Sequence, residues 1–142
     1  MSLYRCESEI ERVGRGLLDR SLPKAEWTHA AHFAAAFWLV RHPHMHAFRE
    51  MPKLIRAYNE ATGVANTDTS GYHETITLAS LRVTLRWLSE RPERPLHEAL
   101  NEMLTSEYGR SGWLLTYWSK PVLFSPAARR EWVDADLRPF PF

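Results

Sequence analysis

Hydrophobic residues at helical spacing, interrupted at intervals by proline or glycine, most narrowly limit what this chain can become. Ile10, Val13 and Leu17 set a first helix over 9–19. Ser21-Leu22-Pro23 closes it, and proline, tolerated in a first turn, opens a second helix over 24–41. Beyond the break His42-Pro43-His44, the residues Phe48, Met51, Leu54, Ile55 and Tyr58 form one stripe of a third helix over 46–61, with Gly63 as its stop. Residues 64–70 (VANTDTS) are a polar loop, and Ser70 is the expected cap of a long fourth helix over 71–90. Arg91-Pro92-Glu93-Arg94-Pro95 breaks the chain before a fifth helix over 96–108. Residues 111–118 read equally as helix or strand. Ser125-Pro126 starts a short helix through 132, and the proline-broken tail over 137–142 is expected to lie extended across the body. No run of alternating strand pattern appears. The expectation is one all-α domain over 1–142, a compact bundle of five to six helices.

Two of these helices break the apolar rule on the face that should be buried. At about 100° per residue, His29, His32, Phe33, Ala36, Phe37, Leu39 and Val40 share one arc of the second helix, so two imidazoles one turn apart face the core. The fourth helix carries a polar stripe, His73, Thr77, Ser80 and Thr84. On one side of it run Ile76, Val83 and Trp87, and on the other Leu78, Leu81, Leu85 and Leu88. Thr75, Arg82 and Arg86 fall on the solvent side, and Glu74 on the leucine shoulder. A polar stripe between apolar shoulders predicts the wall of a polar cavity. Burying such groups without partners costs several kcal/mol, so a compensating ligand is implied.

Three imidazoles and a carboxylate match the donor set of a divalent metal, zinc first and iron as the alternative. His29, His32 and His73 are the expected ligands. Glu74 is the fourth ligand, an orienter of an imidazole, or the general base for a metal-bound water whose pKa zinc lowers to about 7. Tyr72, Thr77, Trp27 and Asp68 are the candidate substrate contacts. The corresponding expectation of function is a metal-dependent, hydrolase-like enzyme acting on a small molecule. The alternative is a metal-free sensor or binding protein that uses the same cavity.

The motifs Trp27-Thr28-His29-Ala30-Ala31-His32-Phe33, Asn66-Thr67-Asp68 and Gly71-Tyr72-His73-Glu74-Thr75-Ile76-Thr77, with the later Phe-Ser-Pro and Asp-Leu-Arg-Pro segments, resemble a small, uncharacterised bacterial family. The resemblance covers most of the chain and singles out the same histidines. A looser likeness is to helical bundles of the DinB type, which implies a metal held by three histidines. This chain differs in drawing two of its histidines from one helix.

Net charge of +1 gives no electrostatic case for nucleic acid or an anionic membrane as partner. The longest apolar stretch, 30–40, is too short to span a bilayer, and the first residues lack the order of a signal peptide. A single cysteine, Cys6, excludes an internal disulfide, which fits a reducing cytoplasm. Six Trp, five Tyr and six Phe supply a bulky core, a pocket lining or an interface, and a homodimer is compatible with that excess.

Overall fold

A computed structural model describes residues 3–142, which form seven α-helices, three short 3-10 turns and no strand. The helices are α1 (Glu7–Leu18), α2 (His29–Arg41), α3 (Ala47–Ala61), α4 (Glu74–Ser89), α5 (Leu96–Leu104), α6 (Lys120–Leu123) and α7 (Pro126–Arg130). The fold class is all-α, as the periodicity predicts. Residues 111–118, ambiguous in sequence, contain the 3-10 turn Trp113–Thr116. No described helix is long and apolar enough to cross a membrane.

The axis of the bundle is α2, which packs against α1, α3, α4 and α5. Burial extends beyond the arc read from the helical wheel: Ala34 and Ala35, outside it, have no exposed surface, like Ala36 within it. A helix apolar on all sides belongs in the middle of a bundle, and small side chains let neighbours approach from every side. Phe33, Phe37 and Leu39 fill the gaps between them, each burial worth roughly 1.5–3 kcal/mol.

Helix starts depart from expectation at both histidine-bearing helices. Lys24–Glu26 form a 3-10 turn, and α2 begins only after Thr28, whose Oγ1 accepts the Ala31 N–H at 3.2 Å. In α4 the cap is His73 rather than Ser70, and its Nδ1 accepts the Ile76 N–H at 3.2 Å. The other end of α3 follows the rule: Val64 N–H reaches the Asn59 carbonyl (2.8 Å) and Gly63 N–H that of Glu60 (3.3 Å), with Gly63 at φ +84°.

The loop into α4 is pinned by Asn66. Its Oδ1 accepts the Asn59 amide (3.0 Å) and the Tyr72 N–H (2.9 Å), and its Nδ2 donates to the Arg56 carbonyl (3.1 Å). Gly71 passes over this hub at φ +79°, and a Cβ there would lie 2.4 Å from the Ala65 carbonyl oxygen. Gly71→Ala is therefore expected to lower stability by about 2–3 kcal/mol, measured as a shift in urea midpoint at unchanged slope.

The segment after α7 runs extended over the bundle, with Leu137 N–H bonded to the Tyr117 carbonyl at 2.8 Å. Phe140 packs among Trp113, Tyr117, Trp118 and Trp132. Two facial assignments on α4 are reversed. Thr75, expected at the solvent side, has no exposed surface and donates to the Ala128 carbonyl at 2.7 Å, while Leu85 is 50% exposed. A helical wheel has no information about which face a distant segment will cover.

Candidate functional site

A cavity of about 280 Å³ opens between α2, α3, α4 and the turn at residue 113. His29, His32 and Phe33 line it from α2, Met51 and Ile55 from α3, and Ile76, Thr77 and Ser80 from α4; Ser111, Trp113 and Leu114 close it. No Asp, Glu, Lys or Arg is among these residues. The two α2 histidines thus share one pocket with the middle of the α4 polar stripe, as the spacing predicts.

Backbone carbonyls fix the protonation pattern of the imidazoles, because a carbonyl only accepts. His29 Nε2–H donates to the Tyr108 carbonyl at 2.8 Å, and Nδ1 has no described hydrogen bond. His32 Nδ1–H donates to the Thr28 carbonyl at 2.9 Å, which leaves Nε2 as a lone pair. Trp27 stacks on the His32 ring with centroids 3.9 Å apart, and does not itself line the cavity. Burial pushes the His32 pKa down to about 4, so this imidazole is neutral and an acceptor throughout the physiological range.

His73 does not join them. Its Nε2–H donates to the Leu123 carbonyl at 2.6 Å while Nδ1 caps α4, so both ring nitrogens are committed. The residue is 7% exposed, and burial lowers its pKa, which keeps the imidazole neutral. Glu74 is likewise occupied: its Oε1 accepts the Tyr72 hydroxyl at 2.5 Å, and neither residue lines the cavity. The first turn of α4, where convergence on His29 and His32 was expected, is turned instead to capping and to α6. Among the described residues no group of three or more His, Cys, Asp or Glu is arranged to hold a metal ion.

Of the other substrate-contact candidates, Thr77 lines the cavity and donates its hydroxyl proton to the His73 carbonyl at 2.9 Å. Asp68 is exposed and paired with Arg130 at 2.9 and 3.0 Å, away from the histidines. Tyr72 is buried beneath Arg56, whose guanidinium lies 4.3 Å from the ring centroid.

One buried residue marks the site more sharply than any motif. Trp113, 3% exposed and part of the cavity wall, has an indole N–H with no acceptor among the described residues. Its ring is held by edge contacts from Tyr108 (5.2 Å) and Tyr117 (6.5 Å), so it is fixed in place with an unmet donor. Sequence gave no cue to it, since it stands in an irregular segment some distance from either histidine. Thr84, the last member of the α4 stripe, has no exposed surface and an unpartnered Oγ1, and it lies outside the cavity lining. Removing an orphan hydroxyl at constant shape should help: Thr84→Val is expected to raise stability by about 1 kcal/mol in chemical denaturation.

Comparison with known proteins yields no match to this chain among protein families, curated proteins or solved structures.

Proposed function

We propose that the chain binds a small, uncharged molecule in the His29–His32 cavity, one that accepts from the Trp113 indole N–H and donates to His32 Nε2. What supports this reading is a cavity with no ionised side chain in its wall, lined by a neutral His32 and by Trp113, a residue whose indole N–H is buried with no partner among the described residues. A buried donor left unpaired costs about 1–3 kcal/mol, which an acceptor brought within its reach by the ligand would recover. The lining supports a neutral ligand, since no ionised side chain is there to compensate a charge. A volume of about 280 Å³ falls just under the roughly 300–1,000 Å³ usual for small-molecule sites, which favours a compact ligand such as a small amide, lactam or heterocycle.

The test is a thermal-shift screen with neutral amides, lactams and heterocycles on wild type, Trp113→Phe and His32→Gln. Trp113→Phe removes only the N–H donor and a little volume. Without ligand it should be at least as stable as wild type, yet bind a stabilising compound about tenfold more weakly. A hit bound equally well by all three proteins would refute the assignment.

A second reading, metal-assisted hydrolysis, draws on the same two uncommitted nitrogens, His29 Nδ1 and His32 Nε2. They would supply two ligands to zinc or iron, with water or substrate completing the shell. Zinc titration discriminates the readings. A one-to-one stabilisation by zinc, reversed by chelator and lost in His32→Gln, favours a metal site, the premise of the second reading. Stabilisation by neutral compounds and indifference to zinc favours the first reading.

A further inference from the structure

We propose that a second site, sharing no lining residue with the histidine cavity, binds a phosphoryl anion between α3, the loop into α4, and α7. A pocket of about 140 Å³ is lined there by Arg56, Asn66, Thr67, Asp68, Tyr72, Arg129 and Arg130. Three guanidinium groups converge on it against one carboxylate, which leaves two positive charges without a counterpart among the lining residues. That is the charge a phosphate carries near neutral pH.

The three arginines are not equivalent. Arg130 is already engaged by Asp68 through two parallel bonds at 2.9 and 3.0 Å. Arg129 is anchored from below: its Nη1 donates to the Gly71 carbonyl at 2.9 Å and to that of Tyr72 at 3.4 Å, while its Nε–H is buried with no acceptor. The Arg56 guanidinium carbon sits over the Tyr72 ring, 4.3 Å from the centroid, and Arg56 is in no described ion pair. The face of an aromatic ring, not a carboxylate, thus holds this cation, which leaves its N–H donors without an anionic partner. The Thr67 hydroxyl oxygen accepts the Thr69 N–H at 3.3 Å and keeps its own proton to donate.

An anion with several acceptor oxygens would use these groups together: the fork of Arg56, the part of the Arg129 guanidinium that borders the pocket, and the Thr67 hydroxyl. Guanidinium forks match phosphoryl oxygens in pairs, which is why arginine recurs in such sites. The pocket opens beside exposed residues, so the phosphoryl group of a larger molecule fits as readily as free phosphate. Asp68 acts against binding, because it occupies Arg130 and repels the incoming charge.

The experiment is calorimetric titration of the intact chain with inorganic phosphate and with glycerol 3-phosphate, ionic strength held constant with sodium chloride. Expected is saturable one-to-one binding, weakened about tenfold or more in Arg56→Gln and Arg129→Gln. Asp68→Asn should tighten it, because Arg130 is released to the ligand. His32→Gln should leave it unchanged, which separates failure here from failure at the histidine cavity. Arg56→Gln alters an exposed side chain on a helix and keeps the fold, so the result does not hang on Arg129, which also anchors the loop. Tighter binding of the ester identifies a phosphorylated small molecule as the ligand, and equal binding identifies free phosphate. Heats indistinguishable from chloride alone, undiminished binding by Arg56→Gln, or weaker binding by Asp68→Asn would each overturn the proposal.

Discussion

Trp118→Ala is expected to lower the unfolding free energy by about 3–5 kcal/mol, the range for truncating a fully buried aromatic. The side chain has no exposed surface, and its indole N–H donates to the Val133 carbonyl at 3.0 Å. Its ring meets Trp132 edge-on at 5.6 Å and Phe140 at 5.1 Å, so it fixes the extended segment after α7 at three points. Truncation opens a void, strands a carbonyl and loosens Phe140, which also rests against Trp113 at 6.2 Å. The damage therefore reaches the cavity wall. Trp118→Phe keeps most of the volume and loses only the hydrogen bond, with an expected cost of about 1–2 kcal/mol. Guanidinium unfolding followed by circular dichroism measures both. An alanine variant within 1 kcal/mol of wild type would mean that the segment is not held by this residue. The upper end of the range is a large part of the roughly 5–15 kcal/mol that stabilises an ordinary domain.

Acidification is the second large effect. Burial lowers the His32 pKa from 6.5 to about 4. The unfolded chain takes up its proton near 6.5, whereas the folded one resists until about 4. Between those values the unfolded state binds more protons, so stability falls as pH falls across this window and is complete above it. At pH 4 the loss through His32 alone is on the order of 3 kcal/mol. His73, also lowered by burial, acts in the same direction. Below this window the carboxylates of Asp19, Glu26 and Asp136, held low by hydrogen bonds from Ser21, Arg12 and Ser119, add their own acid sensitivity. The informative quantity is therefore the difference between wild type and His32→Gln, whose amide can still donate to the Thr28 carbonyl but does not titrate. The stability advantage of wild type at pH 7 should shrink by that amount at pH 4. Parallel curves would show that the imidazole is freely hydrated.

Periodicity carried the helices and the inward placement of His29 and His32, because both depend only on local geometry and on which residues shun water. Caps were harder. Thr28 belongs to the residue types that start helices, but Pro23 drew the start too early, and Lys24–Glu26 close a tighter turn. His73 is outside the usual capping set, and recruitment as a cap bends its ring back over the first turn instead of along the Thr77–Ser80 stripe. That single event removes it from the expected ligand set. Trp113 in the histidine cavity, and Arg56 with Arg129 in the second pocket, are placed by the docking of segments far apart along the chain, which no local pattern encodes.

The carbonyls that hold the imidazoles come from late in the chain: Tyr108 for His29 and Leu123 for His73. During synthesis, α2 and α4 leave the ribosome long before those acceptors exist, so their ring nitrogens must wait in water or with temporary partners. Contacts spanning such distances along the chain slow folding, because the loop between them must close first. The pocket should therefore be the last part of this protein to mature, and a nascent chain halted before residue 108 should present α2, its most apolar helix, to any chaperone nearby.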